Sequence, residues 1–169
     1  LWRCNFDRYL RALWGQYLHF CPRNYCVTNH RWLGDDELSS VLNIGFDFDF
    51  YDSTFNQFYI SSNGFLTFDS GAGDGCCEGQ HLPDSDAPNN LISFAWGDWH
   101  PGNHGTITYG TNGTAPNRVL IVSFDSVAGF GQNIYVTAQV QLHETTNEIK
   151  IVSTTINLHS NSNITIPIT

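Results

Sequence analysis

Methionine is absent, lysine and arginine together number seven, and no apolar run approaches the ~18 residues that cross a bilayer. The last absence excludes a membrane-spanning helix. The missing initiator Met is what a processed chain or a fragment would show, and no signal peptide is visible. Cysteine is sparse and odd in number, so Cys4, Cys21, Cys26, Cys76 and Cys77 cannot all pair within one chain. None of their spacings is a zinc pattern. Gly-x-Ser-x-Gly and a phosphate-binding glycine loop are missing, and no Ser/His/Asp set stands at a supporting spacing. The motifs therefore point to no enzyme class.

Positive charge is scarce in a particular place. Arg3, Arg8, Arg11, Arg23 and Arg31 lie in the first 33 positions with one acid, Asp7, which makes that segment +4. The remainder carries Arg118, Lys150 and fifteen acids, or −13. An acidic body of this kind repels nucleic acid and anionic membranes. It suits a soluble module and oxygen-loving calcium rather than a polyanion.

What is present is aromatic and polar. Aromatics reach 14% with twelve Phe, and Thr, Ser, Asn and Gly are abundant, a mixture that favours strands and turns. At 169 residues there is room for one domain with a real core.

Residues 1–33 differ from the rest. Phe6, Leu10, Leu13, Trp14, Tyr17 and Leu18 recur at helical spacing, with Asn5 as a cap and Arg8 and Arg11 on the flank. Such a helix could meet a partner or a membrane surface. The abrupt break at Leu33-Gly34 favours a helical or irregular extension packed on the domain, or residues not native to it. The expected organisation is this extension at 1–33, a domain at 34–157 and a polar tail at 158–169.

From Gly34 the pattern is β. Ile44, Phe46, Phe48 and Phe50 alternate with Gly45, Asp47, Asp49 and Tyr51, one face apolar and one wet. Asp47 and Asp49 share the wet face, and alternation alone explains them. Gln57–Ser61 and Gly64–Phe68, joined by Ser62-Asn63, read as a hairpin. Further strands are expected at Leu91–Trp96, Thr106–Tyr109, Val119–Phe124, Ile134–Leu142 and Glu148–Thr155, with a weak one at Ile164–Ile168. Val119–Phe124 is apolar on both faces and should lie centrally. About eight short strands with frequent turns predict an all-β fold, an antiparallel β-sandwich of jelly-roll-like type, with a closed barrel as the alternative.

Chemistry is concentrated between Gly71 and Gly102. The vicinal pair Cys76-Cys77 could close on itself, or one member could bridge to Cys4, Cys21 or Cys26; Cys21 and Cys26 could also close a small loop in CPRNYC. Structural oxidation outweighs a reactive thiol, because only His81 is close in sequence as a base. Asp69, Asp74, Asp84, Asp86 and Asp98 crowd oxygen donors into loops as calcium ligands do, although no D-x-D-x-D-G loop is present and turn-forming Asp is the commoner reason. His100 and His104 lack helical spacing for zinc, since Pro101 and Gly102 intervene. Trp99, flanked by Asp98 and His100, with Asp84 and Asp86 nearby, is the best candidate for a ligand contact, since aromatic faces stack on sugars while acids bind hydroxyls. For Trp96, core packing is an equal or better explanation.

Four segments, IGFDFDFYDSTFNQFYISSNGFLTF, GCCEGQHLPDSDAPNNLISFAWGDWHPG, TITYGTNGTAPNRVLIVSFDSV and VTAQVQLHETTNEIKI, occur in that order. Together they resemble a β-sandwich module of secreted and cell-surface proteins of Bacteroidetes-type bacteria, exported by the type IX route. The opening FDFDFY…FNQFYISSNGFLTF also looks like the start of nidogen-type extracellular domains. The resemblance covers roughly residues 34–156. It implies a non-enzymatic adhesive or structural module at the cell surface that contacts glycan or protein and has no catalytic residues to carry over. A carbohydrate-active module is the alternative. Residues 1–33, the tail after Ile156 and the absence of cysteine near Ala128-Gly129-Phe130 depart from the pattern. A missing closing strand would leave a sheet edge open to self-association.

Overall fold

A computed structural model of the chain describes residues 29–156. The expected amphipathic helix, Cys4, Cys21, Cys26 and the strand at 164–168 lie outside these residues.

Among the described residues, nine antiparallel strands form two sheets. Strands β1 (Asn29–Arg31), β6 (Thr106–Asn112), β7 (Val119–Ala128), β8 (Tyr135–His143) and β9 (Ile149–Ile156) make a five-stranded sheet in that order. The other sheet has four strands: β2 (Leu42–Phe50), β3 (Ser53–Ser61), β4 (Phe65–Thr67) and β5 (Leu91–Ser93). The described residues make an all-β sandwich, and their sheets do not merge into a barrel. Its connectivity is two meanders, since each strand from β2 to β5 and from β6 to β9 pairs with its successor. β1 pairs with β6 and lies within the segment read as an N-terminal extension.

The alternation read in the sequence is the packing. Leu42, Ile44, Phe46 and Phe48 of β2 are buried while Asn43, Gly45, Asp47 and Asp49 are exposed. Val136, Ala138, Val140 and Leu142 of β8 enter the core. β7 is the middle strand of its sheet; Leu120, Val122 and Phe124 join the core cluster while Val119 and Ile121 are also buried. Phe94 meets Phe124 edge-on at 4.9 Å and so joins the sheets. Phe48, Phe58, Phe94 and Phe124 have no exposed surface, and each such burial contributes about 1.5–3 kcal/mol.

Two departures from the sequence reading are local. Tyr51 was expected to continue the outward face of β2, but it is the turn residue, with φ 51°, and β3 begins at Ser53. No Gly or Pro marks that turn. The second concerns the edge at β2. Its pairing with β3 shifts between Asn43 and Phe48, where Gly45 takes φ 94°. There the Ile44 carbonyl accepts from Thr111 Oγ1, the Gly45 carbonyl from Arg118 Nη1, and the Asp49 N–H donates to Asn147 Oδ1 at 3.0 Å. Side chains of the opposite sheet and its connecting turns thus occupy polar groups that would otherwise invite another strand. Arg118 is held by Glu144 and lies over the Phe46 ring.

His143, at the end of β8, is half-buried, with Nε2 shielded from solvent and unpartnered among the described residues. Burial, aided by the Lys150 ammonium and opposed by Glu148, holds its pKa below the ordinary value. The folded protein therefore takes up this proton less readily than the unfolded chain. Stability from this source is full above about pH 6.5 and is lost as pH falls below it through the lower pKa of the folded state. Thermal melts of His143→Gln between about pH 7.5 and pH 5 should show a shallower decline than the parent, the difference staying under about 1 kcal/mol because solvent screens the ring. An unchanged slope would remove His143 from the acid response.

Candidate functional site

The turn Ser61–Gly64 is the structural centre of the loop region. A strand–turn–strand motif with Asn-Gly normally sits at the surface. Here Ser61, Ser62 and Asn63 have no exposed surface, because three other parts of the chain, near residues 36, 74 and 97, close over them. Glu37 N donates to Ser62 Oγ at 2.9 Å, and Ser62 N donates back to the Glu37 carbonyl at 2.8 Å. Ser61 Oγ donates to the Asp74 carbonyl at 2.5 Å. The Gly64 carbonyl accepts from Phe94 N and Ala95 N, and Gly97 N donates to the Asn63 carbonyl.

Asn63 uses both ends of its carboxamide. Nδ2 donates to Asp36 Oδ1 at 2.9 Å, and Oδ1 accepts from Trp99 N at 3.1 Å. One buried side chain therefore ties the 34–37 segment to the 95–100 segment. That link brings carboxylate oxygens of Asp35, Asp36 and Asp98 within 4.8 Å of one another. Asp35 Oδ1 is shielded and unpartnered among the described residues. Burial, and then repulsion from Asp36 and Asp35, raises the pKa of Asp98, while His100 partly opposes the shift.

The 71–77 loop flanks this group. The Gly75 carbonyl accepts from Trp96 Nε1 at 2.7 Å, and Cys76 N donates to Asp74 Oδ1 at 2.9 Å. A disulfide joins Cys76 to Cys77, the self-closing pairing among those open to the sequence. Both cysteines are exposed, and their sulfurs lie within 4.8 Å of an Asp36 carboxylate oxygen.

The structure corrects the reading of Trp99. Its side chain is 2% exposed, its Nε1 donates to the Ala95 carbonyl at 2.6 Å, and its backbone bridges to Gly129. Gly64 and Gly97 leave room for the indole, since a Cβ on either would stand 3.3 Å from Nε1. A ring enclosed in this way presents no face to a sugar. Trp96, 1% exposed, is core.

The candidate calcium ligands Asp69, Asp74, Asp84, Asp86 and Asp98 are spread out. Asp69 Oδ1 accepts from Gly71 N and Asp84 Oδ1 from Asp86 N, so each shapes its own turn. Asp84 and Asp86 are exposed. Among the described residues, no group of three possible ligands within 4.8 Å contains two of the five. Asp98 alone joins a cluster, with Asp35 and Asp36, two acids just before β2 that the sequence analysis does not single out. His100 is half-buried with its ring 5.9 Å from that of Phe130, and exposed His104 faces the Ser126 carbonyl through Nδ1 at 2.8 Å.

No described helix is long and apolar enough to cross a membrane. No curated protein and no solved structure matches the chain. A family model described as NIDO related matches residues 19–169, which takes in β1, the whole loop region and the tail. Such domains are typically extracellular. The opening motif FDFDFY…FNQFYISSNGFLTF and this match agree: the chain belongs to the NIDO-related family.

Proposed function

We propose that this domain is a non-enzymatic binding or adhesion module of a larger secreted or cell-surface protein, of the kind bacteria export by the type IX route. The observation that supports it is the fixed loop assembly around Asn63, which holds an acidic rim of Asp35, Asp36 and Asp98 on a rigid sandwich. Loops positioned by a rigid scaffold are where binding residues concentrate. The partner is a glycan or protein of the cell surface. Self-association, where it occurs, uses β9, the longer of the two terminal strands of its sheet among the described residues, while β2 is engaged by Thr111, Arg118 and Asn147.

Carbohydrate contact is the more specific second reading, favoured by the exposed carboxylates of Asp84 and Asp86 in the loop between β4 and β5. A glycan array and a panel of purified surface proteins, each probed with and without calcium, test both. Saturable binding should weaken at least about tenfold, roughly 1.4 kcal/mol, in an Asp84→Ala, Asp86→Ala variant or in Asp98→Asn. Glycan cleavage that disappears in Asp98→Asn would overturn the non-enzymatic reading. A blank result on both panels would overturn the binding role.

A further inference from the structure

Two thiol-bearing residues and a carboxylate meet at one exposed point. Cys76 and Cys77 come from the loop after β4, and Asp36 comes from the segment before β2, yet one ligand atom from each falls within a 4.8 Å circle. Ligand atoms around a tetrahedral zinc with thiolate and carboxylate bonds stand roughly 3.5 Å apart, inside that span, and the two sulfurs reach such a separation only once their bond is broken. Asp36 is not free to swing away, because Asn63 Nδ2 holds its Oδ1 from beneath. Cys76 is fixed through its backbone N–H by Asp74 Oδ1. While the sulfurs are bonded to each other they are poor ligands; as thiolates they are strong ones.

We propose that reduction of the Cys76–Cys77 disulfide creates a site for a thiophilic divalent cation, zinc or cadmium, ligated by both sulfurs and Asp36. The chemistry balances with a dithiol as reductant. One reductant thiolate attacks a cysteine sulfur and breaks the Cys76–Cys77 bond; the second closes the reductant into its own disulfide. Two electrons and two protons pass to the protein. The metal then displaces the two thiol protons to solvent. Two thiolates and one carboxylate around a dication leave net negative charge, and Asp35 and Asp98 behind Asp36 add to a field that attracts cations. Arg118 and Lys150 do not compete, being paired with Glu144 and Glu148. Exposure of all three ligand residues lets reductant and metal enter.

Cadmium titration of the full chain, oxidised and dithiol-reduced, tests the site through the ultraviolet cadmium–thiolate charge-transfer band. The reduced chain should bind one cadmium at this site with the band, and the oxidised chain should bind at least about tenfold more weakly and without it. A Cys76→Ser, Cys77→Ser variant should lose the band although Cys4, Cys21 and Cys26 remain. Asp36→Asn should keep the band and weaken binding at least about tenfold. Asn suits the φ of 47° at this position and still offers an acceptor to Asn63, so the fold should persist, as a thermal melt would verify. An undiminished band in the double-serine variant, equal binding by oxidised and reduced chains, or unchanged affinity in Asp36→Asn would each overturn the proposal.

Discussion

Gly64→Ala should destabilise the domain by about 3–5 kcal/mol, enough to remove much of the stability of a domain this size. Two costs act at the same atom. The residue has φ 83°, in the left-handed region where a side chain costs roughly 1–2 kcal/mol. A Cβ would also stand 2.2 Å from the Ala95 carbonyl oxygen and 2.7 Å from its carbon. That neighbour is backbone, and Ala95 is itself held because its N–H donates to the Gly64 carbonyl. Relief would have to move the 93–97 segment and with it the Asn63–Trp99 link. Gly73→Ala separates the two costs, since φ there is 73° but nothing lies within 4 Å of the added carbon. Urea unfolding should show only about 1 kcal/mol for Gly73→Ala. Equal losses at the two positions would mean that backbone conformation accounts for both and the close approach for nothing.

Asn63→Ala is the second large effect, at about 3 kcal/mol. The substitution removes the acceptor of the buried Trp99 N–H and the donor that holds Asp36. A buried group left unsatisfied costs about 1–3 kcal/mol, and the lost volume adds a cavity penalty. Asn63→Asp discriminates between the two halves of the carboxamide. It keeps an acceptor for Trp99 N but places a carboxylate against Asp36, so it should also destabilise, and less so as pH falls and the acids protonate. Near-ultraviolet circular dichroism should show Trp99 losing its fixed environment in Asn63→Ala before the sheets melt. A loss under about 1 kcal/mol would show that the loops are held by something other than this side chain.

Both residues belong to the motif Ser-Asn-Gly, which reads as an ordinary surface turn. The turn is there, and the glycine is needed, but the reason is different. Asn-Gly at a hairpin is explained by local backbone preference alone. Burial of Asn63 comes from segments near residues 36, 74 and 99, and no local pattern announces that they will meet.

The same distinction explains Trp99. Its neighbours Asp98, His100, Pro101 and Gly102 are turn-formers, and a turn tryptophan between polar residues looks exposed. Pairing with Gly129 and the room left by Gly64 and Gly97 enclose it. Conversely, Asp84 and Asp86 are exposed turn residues, as local composition implies. Asp35 and Asp36 carried only the weak signal of two acids before a strand.

By itself the sequence determined what depends on period and on local backbone chemistry. Alternation along 44–50 and 136–142 dictated which faces are buried, and the two-sided run at Val119–Phe124 dictated the central strand, because a strand's side chains point to opposite faces whatever its partners are. The opening motif FDFDFY…FNQFYISSNGFLTF was enough to point to a nidogen-like module. Tertiary structure alone decided which loops share a site. Asp36, Asn63, Cys76 and Asp98 are brought together by hydrogen bonds spanning 27 residues between Asp36 and Asn63 and 36 between Asn63 and Trp99. Contacts at that separation are set by how two sheets stack and where their connections cross, and that geometry leaves no periodic trace in the residues it joins.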